Sequence, residues 1–123
     1  MRDEGLYFED IVEAAEALSR FLTGISKEEF VCSDLVSTAV IHKLQIIGEA
    51  AARVSAETRS RHPEVEWAKI VGFRNIAVHA YFAVDWSIVW NAATRNAPIL
   101  REQVARILAE EFPDTDTDTD TGN

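Results

Sequence analysis

Ser33-Asp34-Leu35-Val36-Ser37-Thr38-Ala39-Val40-Ile41-His42-Lys43-Leu44-Gln45-Ile46-Ile47-Gly48-Glu49-Ala50-Ala51 decides the architecture of this chain. Ser33 or Asp34 can open a helix here, because a short polar side chain accepts hydrogen bonds from the free amides of a first turn. Behind that cap, Leu35, Val36, Ala39, Val40, Leu44, Ile47, Ala50, Ala51 and Val54 form a broad apolar stripe at helical spacing. Gly48 and the alanines after it let another helix approach closely.

The rest of the chain reads the same way. Leu6, Ile11, Ala14, Ala15, Leu18 and Leu22 recur at roughly helical spacing, with Glu9, Asp10, Glu13, Glu16 and Arg20 on other faces. Gly24 suits a left-handed cap at the end of that helix. Ser26-Lys27-Glu28-Glu29 is a capping-box sequence for a short helical turn. His62-Pro63 breaks the chain, since a residue before proline disfavours helix. A third helix is expected from about Glu66 towards His79, then a short non-helical segment, then a fourth helix capped by Asp85. Trp86, Val89, Trp90 and Ala93 share one face of it. Pro98 should kink or divide that helix, because a proline inside a helix costs about 3 kcal/mol. No strand pattern, repeat or second domain interrupts the series. The expectation is an all-α fold, an up-down bundle of four main helices over residues 1–112.

Residues 113–123 form an Asp/Thr-rich tail with almost nothing apolar to bury, which is expected to be disordered. Its alternating aspartates lack the glycine turn and closing glutamate of a calcium loop, so no metal site and no cofactor are expected there or elsewhere. At 123 residues and 13.8 kDa, with 47% hydrophobic residues, the chain suits one domain with one core. No apolar run approaches the roughly 20 residues that span a bilayer, and no apolar stretch follows Met1-Arg2-Asp3-Glu4 as in a secretory signal. Cys32 has no second cysteine to pair with. A cytoplasmic protein without membrane association is the expectation.

The net charge of -9 argues against bulk electrostatic binding to nucleic acid. The charge is unevenly spread, however. Residues 1–49 carry four Lys/Arg against ten Asp/Glu, whereas residues 50–109 carry eight against five. Arg53, Arg59, Arg61, His62 and Lys69 belong to that net-basic part. So does the stretch Arg74-Asn75-Ile76-Ala77-Val78-His79-Ala80-Tyr81.

That stretch joins a permanently charged guanidinium to an imidazole that titrates near neutrality. Arg74 and His79 lie about 140° apart on an ideal helix, so their long side chains can converge on one phosphate from the edges of a face. Asn75 and His79, four apart, share a face, and the amide can orient the ring. Arg74 would then stabilise charge on phosphate oxygens while His79 transfers a proton, the two requirements for cutting an RNA backbone without a metal. One histidine cannot make both proton transfers at once, and a two-fold dimer would bring a second. By spacing alone, the commoner reading of such a pair is a surface charge and a half-buried histidine. Tyr81 and Phe82 would ordinarily be core aromatics, and Trp67, Trp86 and Trp90 bundle or dimer core. His42 and Cys32 read as structural and His62 as solvated. Glu49 and Arg53, one turn apart, read as an intrahelical ion pair.

Over about Arg2 to Leu108 the chain resembles the HepT-like toxins of the HEPN superfamily. The resemblance rests on the Arg-x4-His-x-Tyr motif within Val71–Asp85 and on Arg2-Asp3 with Tyr7-Phe8-Glu9-Asp10-Ile11. Ile46-Ile47-Gly48-Glu49-Ala50-Ala51, Pro63-Glu64-Val65-Glu66-Trp67 and Val84-Asp85-Trp86-Ser87-Ile88-Val89-Trp90 complete it, in the family's order. It implies an all-helical, two-fold homodimer whose Arg74 and His79 line a cleft at the subunit interface and act as the catalytic pair, with Asn75 in support. It also implies a metal-independent endoribonuclease toxin, held in check by an MntA-like nucleotidyltransferase antitoxin that transfers AMP to Tyr81. Ala80 and Ala83 depart from the pattern, standing where many relatives carry an acidic residue and a glycine. The alternative is a non-catalytic helical module that binds a nucleotide or the partner enzyme, with Arg74 as a phosphate anchor only. The apolar excess on the second and fourth helices points to an oligomeric surface under either reading.

Overall fold

The computed structural model describes residues 3–77 and 85–113. Asp3 opens the first helix, its carboxylate accepting from the Gly5 amide at 2.8 Å, and α1 runs Glu4–Leu22. It ends as the sequence suggests, with Gly24 in the left-handed region at φ 73°. The capping box closes in both directions: the Glu29 amide donates to Ser26 Oγ at 3.1 Å, and the Ser26 amide donates to Glu29 Oε1 at 2.9 Å. It opens α2, Lys27–Cys32, and Ser33 then caps α3, Asp34–Ala52, by accepting from the Val36 amide at 3.1 Å.

Three long helical rods carry the core. α1 packs against α3 on one side and on the other against α7, Ala97–Glu111. Phe8, Ile11 and Leu18 of α1 interdigitate with Val40, Leu44 and Ile47 of α3 and with Leu100, Val104 and Ile107 of α7, all fully or almost fully buried. Each such side chain contributes roughly 1.5–3 kcal/mol over its exposed state. α6, Trp86–Asn91, precedes α7 and brings Trp86 and Trp90 onto Phe30 of α2, with ring centroids 5.6 Å and 5.4 Å away. Trp67 packs edge-on against Phe8 at 6.2 Å. All three tryptophans thus serve the bundle. Among the described residues there is no strand, and no helix is long and apolar enough to cross a membrane.

Several local expectations need correction. The stripe on α3 is wider than the face its neighbours cover, so Leu35 is 82% exposed. A short α4, Ala56–Arg61, precedes the His62-Pro63 break, capped by Ser55 through the Thr58 amide. The third helix is α-helical over α5, Trp67–Val71, tightens into a 3-10 turn over Gly72–Asn75, and is α-helical again at residues 76 and 77, where the described stretch ends. Asp85 does stand at the N-cap of α6, without a side-chain capping bond. Pro98 neither breaks nor sharply divides the fourth rod. A π-helical turn over Ala92–Asn96 joins α6 to α7 and places Pro98 in the first turn of α7, where its missing N–H costs least.

His62 is buried, not solvated, and bonds Glu111 at the end of α7. Arg61 donates to the same carboxylate at 2.8 Å and to Thr58 Oγ1 at 3.2 Å, and Thr58 Oγ1 donates to Glu4 at the start of α1. The two chain-end regions of the bundle are therefore tied together through α4. The Asp/Thr tail from residue 114 lies outside the described residues.

Candidate active site

Gly48 of α3 sets the position of Arg74. A Cβ at residue 48 would stand 2.5 Å from the Arg74 backbone nitrogen and 2.9 Å from the Phe73 carbonyl carbon. Only a residue without a side chain lets the 3-10 turn lie directly on α3. Phe73 and Ile76 point into the core and anchor that turn from below, leaving Arg74 and Asn75 outside. The tighter winding means that ideal α-helical angles do not hold over Gly72–Asn75.

Set down there, the Arg74 guanidinium meets Glu49, with Nη1 3.5 Å from Oε1. This corrects the expectation that Glu49 pairs with Arg53 along the helix. The close approach at Gly48 delivers a cation from another element to the neighbouring carboxylate. Both partners are about half exposed, so the pair is loose and wet. Around them opens a surface pocket of about 520 Å³, lined by His42, Gln45, Ile46 and Glu49 of α3 and by Arg74 and Asn75 of the turn. A half-exposed guanidinium, a carboxylate, an imidazole and two amides face one concavity, and the cation and amides can offer a phosphodiester charge-assisted and neutral hydrogen bonds.

Two of the four expected site residues, Arg74 and Asn75, meet in this pocket. His79 and Tyr81 lie outside the described residues, as do Ala80, Phe82 and Ala83. The pocket adds His42, which reads as merely structural in the sequence but is exposed here. A signal was available: residues 42, 45, 46 and 49 follow the i, i+3, i+4, i+7 rhythm of one helical face. It passes unnoticed because the pattern gains meaning only when another element supplies an arginine above it.

The net-basic segment proves less available for phosphate than its composition suggests. Arg59 closes the C-terminal end of α3, donating to the carbonyls of Ala51 at 3.1 Å, Ala52 at 3.3 Å and Val54 at 3.2 Å. Arg61 and His62 are engaged by Glu111, and Lys69 lies 3.9 Å from Glu66. Arg53 and Arg74 are the members of that segment that line the pockets along α3. Among the described residues, no three His, Cys, Asp or Glu side chains are grouped to hold a metal ion.

Comparison with known proteins gives a consistent result. The family model described as Ribonuclease HepT-like matches residues 11–107. A "Putative RNase" of Caldanaerobacter subterraneus subsp. tengcongensis is 37% identical over 105 residues, covering 85% of this chain and 94% of the relative. A "Putative RNase" of Methanocaldococcus jannaschii is 34% identical over 103 residues, covering 84% and 94%. A "Probable ribonuclease HepT" of Thermococcus cleftensis is 35% identical over 101 residues, covering 82% and 92%. No solved structure matches the chain.

Proposed function

This chain belongs to the HepT-like ribonuclease family, and from that membership we propose that it is a metal-independent endoribonuclease, the toxin of a type VII HepT/MntA toxin–antitoxin pair. The observation that carries the reading is Arg74, fixed by its backbone against Gly48 while its guanidinium stands half exposed over an open polar pocket. An RNA phosphodiester entering there exchanges the loose Glu49 contact for a charge-assisted one.

In this reading the 2'-oxygen attacks phosphorus and the bond from phosphorus to the 5'-oxygen breaks, leaving a 2',3'-cyclic phosphate and a 5'-hydroxyl. His79 takes the proton from the 2'-hydroxyl or gives one to the departing 5'-oxygen, Arg74 stabilises the charge that builds on the phosphoryl oxygens, and Asn75 steadies the site. A two-fold homodimer supplies the second proton-transfer group. The cognate MntA-like antitoxin silences the enzyme by adenylylating Tyr81, which adds a phosphodiester charge and bulk beside the anion site. The protein acts in the cytoplasm, where RNA and antitoxin meet.

The test is cleavage of RNA in excess EDTA by protein whose intact mass excludes AMP. His79→Ala should slow cleavage about 10²- to 10⁴-fold, and Arg74→Ala by a comparable factor, with unchanged thermal melts. The non-catalytic module remains as a second reading, favoured by the Glu49 carboxylate beside Arg74 and by the net charge of -9. A silent, unmodified wild type, harmless on expression, would establish that reading instead. If Tyr81 is the modified residue, Tyr81→Phe protein made beside the antitoxin should stay active.

A further inference from the structure

The Arg74 pocket is longer than the contact between Arg74 and Glu49. His42, Gln45 and Glu49 follow one another at helical spacing on one face of α3, with the guanidinium at the Glu49 end and His42 two turns away. Two turns of helix measure about 10 Å. A phosphate gripped by Arg74 through hydrogen bonds of about 2.9 Å occupies one end of that length. The other end is left to whatever is joined to it, which in RNA is another nucleotide with its own phosphate.

His42 is exposed at that far end and Gln45 stands half-buried between the two, both lining the concavity. A protonated imidazole donates through both ring nitrogens and carries a full charge, and a glutamine amide adds two neutral N–H donors. Arg74 from the 3-10 turn and Glu49 from α3 are the other charged groups lining this pocket; Tyr7 and Asp10 of α1 line the adjoining one, beyond Ile46 and Glu49. The Glu49 carboxylate therefore opposes a phosphate chiefly at the Arg74 end, where the guanidinium 3.5 Å away offsets it. At the His42 end the lining offers donors.

We infer that His42, assisted by Gln45, is a second phosphate subsite, which takes the phosphodiester next to the one held by Arg74 and does so only with its imidazole protonated. The inference rests on the reading of Arg74 as an anchor for an RNA phosphate. His42 in this role binds substrate and transfers no proton. Its contact fades between about pH 5 and 8, where imidazoles lose their charge, so RNA binding weakens as the pH rises through that range.

The experiment measures equilibrium binding of a trinucleotide made uncleavable by 2'-O-methylation, beside two analogues in which one or the other phosphodiester is an uncharged methylphosphonate. Wild type, His42→Gln and Arg74→Gln are compared at about pH 6 and about pH 8. Each lost contact should weaken binding about fivefold at low salt, the scale of an exposed ion pair. His42→Gln should matter at the lower pH only, and its effect should vanish with the methylphosphonate at one linkage. Arg74→Gln should be felt at both pH values and lose its effect with the methylphosphonate at the other linkage. The ring-proton NMR signals of His42, identified by their loss in His42→Gln, should titrate at higher pH with the trinucleotide bound than without it.

No binding of the trinucleotide at the lower pH, or binding there that is indifferent to His42→Gln, would overturn the subsite. So would both variants answering to the same linkage, which would put His42 and Arg74 on one phosphate. Cleavage of the unmethylated trinucleotide, followed in parallel, separates this failure from that of the ribonuclease reading. Linkage-specific binding through His42 without cleavage keeps the subsite and removes the nuclease; cleavage without it does the reverse.

Discussion

Arg74 and Glu49 pose a question that belongs to single residues: whether their ion pair serves folding or substrate entry. At 3.5 Å, with both side chains about half exposed, it contributes at most about 1 kcal/mol to stability. Under the proposed ribonuclease function its larger effect is on charge, because Glu49 stands 3.5 Å from the guanidinium that a phosphate would approach. Glu49→Gln should therefore leave the melting temperature nearly unchanged and tighten RNA binding, most clearly at low salt where screening is weak. Thermal melts and fluorescence anisotropy with a labelled oligonucleotide would check both statements. Weaker binding would show that Glu49 orients the guanidinium instead of competing for it.

At the scale of elements, the decisive event is the contact of α3 with the 3-10 turn over Gly72–Asn75. The atoms that a Cβ on residue 48 would strike are backbone atoms, so no rotamer change relieves the clash. Gly48→Ala must push the turn away from α3, at a cost of about 1–3 kcal/mol and a fall in melting temperature of several degrees. Because Arg74 rides on that turn, RNA cleavage should fall further than the lost stability explains, measured well below the melting transition. Gly24 makes a useful contrast. Nothing lies within 4 Å of a Cβ there, and glycine is favoured by its φ of 73° alone. The sequence marks Gly24 by its place after an apolar run, but the need for glycine at 48 is visible only once the facing turn is known.

At the scale of the molecule, stability depends on a polar latch from Glu4 through Thr58 and Arg61 to Glu111 and His62. The hydrogen bond from Arg61, with a lesser one from His62, holds the Glu111 carboxyl below its ordinary range. A carboxyl depressed in the folded state adds stability that is present above its unfolded pKa, about 4.3, and is lost as pH falls through the folded value. Glu111→Gln should therefore lower the melting temperature at pH 7, and the gap to wild type should close as the solution is taken well below pH 4. A gap that persists at acid pH would assign the effect to packing and not to charge. The latch joins residues 4, 58, 61, 62 and 111, a span of sequence that leaves His62 looking like an ordinary solvated residue before a proline.

Helix content, most caps and most of the buried faces were legible because they depend on neighbours three or four residues away, a spacing fixed by the helix itself. The Ser26–Glu29 box, the Ser33 cap and the Leu44–Ile47 face all follow that rule. Arg74 and Asn75 stand out in the sequence for the same local reason, as members of a motif, and the structure places both in one pocket. What surrounds them was not legible. The ion pair to Glu49, the entry of His42 into the pocket, the burial of His62 and the tightening of the helix at Gly72 are each set by an element distant in sequence. The sequence by itself determined which segments are helical and which residues carry reactive groups; the tertiary structure decided which of those groups face one another, because that depends on how closely two backbones can approach, and here on the absence of one Cβ at Gly48.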